Sequence, residues 1–261
     1  MLRVFLSLVI ATAALSAHAA GKIEKELSAD DIVEKALNKG AVGFKQGTAV
    51  LKMTIVSAQG VSKERNLEIK AMRNDGLLKS MVKFTKPADV NGTAFLVVEK
   101  KDALPDQYVY TPKMKVVRRI AAGNASSTFF GSDFTYGDLM PIPMSGKDKV
   151  KNVRLDDTEI GGQPAYVLEL TPKIDGAPYG RVVAYVHKEF LVPLKIEFFD
   201  TANKALKTLR VRKLQKVNGE QVPVDVEMKA ESGSSTQLLI EQMDPNAKLN
   251  DNDFTEEAMQ R

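Results

Sequence analysis

The chain has 261 residues, 27% of them charged, and a formal net charge of +4. It contains no cysteine, which excludes a disulfide framework, a thiolate metal site and a catalytic thiol. The positive balance is small and scattered, which suits simple solubility and leaves nucleic acid out of the expected partners. The first nineteen residues read as a secretory signal. Arg3 is the charged n-region, Val4 to Leu15 an apolar run too short for a comfortable membrane span, and Ala17-His18-Ala19 the small-x-small cleavage site. Cleavage after Ala19 leaves 242 of the 261 residues, a single domain over 20–261, and a charge of +3 once Arg3 is gone. No cysteine follows the signal to carry a lipid, so the expected address is the periplasm, without an anchor.

Ser28-Ala29-Asp30-Asp31 reads as a capping box with Asp in place of Glu or Gln. Ile32, Val33, Ala36 and Leu37 then share one face at helical spacing and Gly40 is a natural stop, so the spacing predicts a helix over 28–39 with one apolar stripe. Strands follow. Leu51, Met53 and Ile55 alternate with polar residues, as do Leu67, Ile69 and Ala71, and Leu78 to Thr85 is a third run. Asn74-Asp75-Gly76 between the last two is a hairpin turn, because Asp-Gly supplies the positive backbone angles of tight hairpins. Further runs are expected at 94–99, 107–111 and 115–120, then at 151–159, 165–171, 181–187, 194–199, 206–217, 221–231 and 236–243, with a short terminal helix at 254–259.

Midway lies a stretch that follows neither period: Phe129-Phe130-Gly131-Ser132-Asp133-Phe134-Thr135-Tyr136-Gly137-Asp138-Leu139. Four aromatic rings fall within eight residues of a chain that is 7% aromatic. Glycine and aspartate at this density make turns, and the rings bury those turns against something apolar. The stretch therefore reads as a plug or lid over a sheet. Met140-Pro141-Ile142-Pro143-Met144 continues it, irregular because of its prolines and apolar enough to be held on a hydrophobic surface.

The fold class is mainly β. Some 11–12 antiparallel strands are too many for a flat sheet, so the expectation is a strongly curved half-barrel with helix and loop as a lid on its concave side. Its apolar side would be lined by Leu51, Met53, Ile55, Leu67, Ile69, Leu194, Ile196, Phe198, Val222, Val224, Val226 and Met228. Left partly unfilled, such a face suits an acyl chain, since each buried methylene is worth about 0.8 kcal/mol. The same alternation would also serve an ordinary packed β-sandwich core, and patterning does not choose between them.

No catalytic constellation emerges, and a non-enzyme without a cofactor or metal is expected. Asp133 and Asp138 could act as a carboxylate pair, but capping of turns explains them better. Ser132 beside Asp133 has only His187 to work with in the mature chain, and no Gly-x-Ser-x-Gly elbow is present. A lone histidine without cysteine is a poor metal site. Arg118 and Arg119, alternating on a strand, point to opposite faces, so one of them could hold a lipid head group or pair with Asp133 or Asp138.

Lys86-Pro87, Gly92-Thr93, Tyr108 to Pro112, Arg118-Arg119-Ile120, Val192-Pro193-Leu194-Lys195 with Asp200, and above all Phe129-x-Gly131-Ser132-Asp133-Phe134-x-Tyr136-x-Asp138-Leu139 resemble the LolA-like outer membrane lipoprotein-sorting proteins. The resemblance covers roughly 28–257. It implies an unclosed half-barrel lidded by helices and a carrier of lipid or lipoprotein acyl chains across the periplasm. It also implies, as partners, an RND-type inner-membrane transporter and an outer-membrane acceptor, with the carrier itself a monomer. The alternative it leaves open is a lipid-sensing or adaptor module that docks on such a transporter. No lid arginine of the lipoprotein carriers aligns with this chain, so the resemblance assigns none.

Overall fold

The computed structural model describes residues 27–38, 46–101, 103–139, 150–173 and 177–261. The signal sequence, the stop at Gly40 and the Met140–Met144 loop lie outside them. The alternating runs form β1 (Gln46–Val56), β2 (Ser62–Asn74), β3 (Leu77–Lys86), β4 (Ala94–Val98), β5 (Asp106–Thr111), β6 (Val116–Arg119), β7 (Val150–Ile160), β8 (Gln163–Pro172), β9 (Arg181–His187), β10 (Pro193–Phe199), β11 (Ala205–Val217), β12 (Glu220–Ala230) and β13 (Ser235–Asp244). That is thirteen strands among the described residues, one for each of the expected runs and slightly more than the 11–12 taken for the half-barrel. In β1 burial alternates without a break, with Ala49, Leu51, Met53 and Ile55 all turned inward. The Asp75-Gly76 turn adopts the two positive φ angles, 48° and 79°, that its sequence asks for.

All thirteen strands make one sheet, in the order β6-β5-β4-β3-β2-β1-β13-β12-β11-β10-β9-β8-β7. Every neighbouring pair is antiparallel. Two meanders thus meet at the β1–β13 seam, while β6 and β7 end up on opposite edges. The connection between β6 and β7 must therefore pass from one edge of the sheet to the other, and residues 120–139 are the described part of that crossing.

The crossing also shows how far the sheet curls. Gln107 on β5 donates to the Tyr136 carbonyl at 3.2 Å, and Lys207 on β11 reaches Asp138 at 2.5 Å. Tyr136 and Asp138 are two residues apart, which spans at most about 7 Å. In a flat sheet β5 and β11, seven places apart, would be separated by roughly 34 Å. Two side chains cannot bridge that gap, so the sheet bends round the crossing segment. It is an unclosed half-barrel, and the crossing lies on its concave side.

The concave core is built from buried residues of β1 to β4, β7 to β10 and β12 together with Phe129 and Phe134 of the crossing and one helix, α1 (Ala29–Asn38). Ser28 caps α1 with Asp31 answering in a reciprocal box, and Ile32 and Val33 are buried against the sheet. Asn152 and Arg154 of β7 hold the start of α1 through Asp30 and the Leu27 carbonyl. On the convex side a smaller cluster packs Phe254 and Met259, the latter on α2 (Glu256–Met259), over Met72, Met81, Ala94 and Leu96. No helix among the described residues is long and apolar enough to cross a membrane.

Candidate functional site

The aromatic stretch folds as a small self-bonded loop. Phe129 N–H donates to the Phe134 carbonyl at 2.7 Å, Tyr136 N–H to Ser127 and Gly137 N–H to Ala125, and Thr128 and Thr135 form an isolated bridge. Gly131, at φ 74°, makes the turn, and Phe130 before it sits at φ 49°, a region that a bulky side chain enters only under constraint. Gly137 is required by space: a Cβ there would lie 2.9 Å from Pro178 and 3.0 Å from the Ala125 carbonyl. Phe129 is the anchor. It is 1% exposed, and its ring meets Phe84, Phe95, Phe130 and Tyr136 at centroid distances of 4.9 to 5.7 Å.

Polar groups fasten this plug to both arms of the sheet. On one side stand Gln107 and Arg65, the latter donating to the Phe130 carbonyl and lying 5.7 Å from the Phe84 ring. On the other side Lys207 bonds Asp138 at 2.5 Å and the Asp133 carbonyl at 3.0 Å, with the Lys207 and Asp138 side chains only 7% and 4% exposed. Tyr179 donates to the second Asp138 oxygen at 2.5 Å, and Thr135 N–H donates to Asp138 at 2.7 Å. Asp133 accepts from the hydroxyls of Ser234 in the β12–β13 turn and Thr236 at the start of β13. A cavity of ≈ 400 Å³ opens beside this node, lined by Ser132, Asp133, Tyr179, Lys207, Ser232 and Ser234 among others.

Burial, reinforced by the Asp138 carboxylate, pushes the Tyr179 phenol well up from its usual range. The folded state thus holds that proton more tightly than the unfolded chain, and this contribution is lost as pH rises above about 10. Tyr179→Phe removes the donor and leaves Asp138 Oδ1 short of a partner. The expected cost is about 1.5–3 kcal/mol, read as a lower thermal midpoint at neutral pH.

The predicted residues divide by position. Leu51, Met53, Ile55, Leu67, Ile196, Phe198 and Met228 belong to the concave core, with Ile69 packed against it. Leu194, Val222 and Val224 are buried, and Val226 is half-buried. Where the described residues trace this face, it is covered by the plug and α1, which form the lid expected on the concave side. Phe129, Phe134, Tyr136 and Leu139 all lie in or against that core.

Asp138 caps a turn through the Thr135 amide, whereas the Asp133 carboxylate accepts from the hydroxyls of Ser234 and Thr236; the charged neighbour of Asp138 is Lys207 and not an arginine. Arg118 and Arg119 are both exposed; Arg119 pairs with Asp106, and Arg118 lies 3.9 Å from Met114 Sδ. They sit on the edge strand, where no further strand covers them. The arginine that does touch the plug is Arg65, which no sequence pattern singled out. Ser132 donates to the Phe129 carbonyl, while His187 Nδ1 accepts from the amides of Glu189 and Phe190, so the two share no hydrogen bond. No group of three or more candidate metal ligands occurs among the described residues.

Comparison with known proteins agrees with this architecture. An outer membrane lipoprotein-sorting protein domain from Vibrio parahaemolyticus is 29% identical, with a TM-score of 0.82 over 89% of this chain and 98% of that one. A DUF1329 family protein from Desulfovibrio piger (24%, TM-score 0.81, 89% and 98% covered) and a LolA superfamily protein from Nitrosomonas europaea (22%, 0.72, 89% and 100%) share the fold. No protein of curated function matches. A family described as "Uncharacterized protein" matches over residues 76–261. The chain belongs to that family, and it resembles the LolA-like outer membrane lipoprotein-sorting proteins in the half-barrel that its own crossover plugs.

Proposed function

We propose that this protein is an exported periplasmic carrier, residues 20–261 forming one domain after loss of a signal at Ala19. It would shield the acyl chain of a lipid or lipoprotein on the concave face of its half-barrel. One observation carries the reading. The apolar face is covered by a segment that adds no strand to the sheet and is fastened by side-chain bonds at its two sides. Such a segment can lift while every ladder of the sheet stays intact.

The magnitudes permit an exchange. Four aromatic side chains leaving the face give up roughly 1.5–3 kcal/mol each, and an acyl chain of about sixteen carbons returns on the order of 10 kcal/mol. Near balance is what a carrier needs, because cargo held too firmly is never released. The resemblance alone suggests an RND-type inner-membrane transporter as donor and an outer-membrane protein as acceptor. A carrier hands its lipid on to the acceptor, whereas an adaptor on the same fold stays bound to its membrane partner. No reaction is assigned to the site.

Native mass spectrometry of the protein isolated from periplasm tests the reading. Co-purifying lipid is expected, and it should be lost in Ile196→Asp or Val224→Asp variants that keep a folded circular dichroism spectrum. A clean apo mass from every preparation, also after incubation with phospholipid, would end the carrier reading.

A further inference from the structure

We infer that the β5–β6 edge is a docking surface for an anionic phospholipid bilayer. Residues 100–119 contain six Lys or Arg and two Asp, a net of +4 that equals the charge of the entire chain. Elsewhere the charges cancel, so the positive balance that reads as scattered in the composition is in fact gathered here. At the hairpin tip Lys113, Met114, Lys115 and Val116 are four consecutive exposed residues, and Arg118 and Arg119 follow them, also exposed. Among the described residues, three of the five large exposed apolar side chains lie on this stretch: Leu104 at 45%, Met114 at 50% and Val116 at 40%. The acid described here, Asp106, is held between Lys100 and Arg119, so that trio keeps one positive charge. Arg118 rests against Met114 Sδ at 3.9 Å, which presents cation and thioether side by side.

Charges on an edge strand commonly keep other strands away. That accounts for Arg118 and Arg119 but not for the exposed Leu104, Met114 and Val116, which protection alone would replace with polar residues. A four-residue edge bearing two arginines is also a poor template for strand addition. Cations interleaved with apolar side chains match a surface with anionic phosphates outside and hydrocarbon beneath. The plug leaves the sheet directly after β6, so a bilayer at this edge would face the start of the plug. Docking does not depend on acyl carriage, because it is measured on empty protein.

Vesicle flotation of the mature protein tests it, using phosphatidylcholine vesicles with and without an equal share of phosphatidylglycerol. Binding to the anionic vesicles should exceed binding to the neutral ones by about tenfold or more at low salt and fall as salt rises. Lys113→Glu with Lys115→Glu should abolish it, and Met114→Ser with Val116→Ser should weaken it at unchanged net charge. Lys213→Glu with Lys216→Glu, the same charge change at exposed sites on β11, should leave it largely in place. Equal binding to both vesicle types would overturn the inference, as would an equal loss in the β11 control. Indifference to the Met114 and Val116 changes would reassign the edge to an acidic protein surface and overturn it too.

Discussion

Lys207→Met is expected to lower the unfolding free energy by about 3–5 kcal/mol, seen as a lower urea midpoint with an unchanged slope. The methionine keeps most of the apolar stem but loses the ammonium that lies 5.4 Å from the Tyr179 ring and 5.5 Å from the Phe198 ring. What it removes is the ammonium that answers a carboxylate only 4% exposed. Asp138 would then be a buried charge with Tyr179 and Thr135 as remaining donors, and an uncompensated buried charge is far costlier than a lost surface pair. Neutralising both ends should recover much of the loss. Lys207→Met combined with Asp138→Asn should be less destabilised than the sum of the single changes, with a coupling of about 0.5–3 kcal/mol. Strict additivity would show that the pair does not act as a unit. The latch also predicts a local effect: amides of the plug should exchange faster in Lys207→Met than those of β1 and β13, since only the plug loses a fastening.

The sheet was legible because alternation is a local signal. Leu51-Lys52-Met53-Thr54-Ile55 states its own buried face, and Asp75-Gly76 states its own turn. The β1–β13 seam was not legible, since pairing Met53 with Leu238 joins residues from opposite ends of the chain and nothing local encodes that choice. The plug announced itself through composition, but its fastenings did not. Asp133 meets Ser234 and Thr236 from about a hundred residues away, and a hydroxyl looks alike in sequence whether it faces water or a carboxylate. Lys207 did leave a trace. It shares the inward face of β11 with Leu209, and a lysine in an apolar register demands an acid opposite. The pairing of Arg118 or Arg119 with Asp133 or Asp138 failed because alternation fixes which way a side chain points, not whether anything lies there to meet it.

Phe129→Ala should separate a movable lid from a permanent core. In the empty protein the change removes the ring that touches Phe84, Phe95, Phe130 and Tyr136, at an expected cost of about 3–5 kcal/mol. If acyl cargo displaces the plug, those contacts are already absent in the loaded state, and the substitution penalises the empty closed form alone. Linkage then requires the variant to bind cargo more tightly, because the closed population that competes with binding has shrunk. Titration with a fluorescent acylated peptide should show higher affinity for Phe129→Ala than for the parent. Saturating ligand should likewise close much of the gap in thermal stability between the two. A plug that never leaves the face gives the opposite pattern. The stability cost then persists at every ligand concentration and affinity is unchanged or lower, because the ring would be as necessary to the loaded protein as to the empty one.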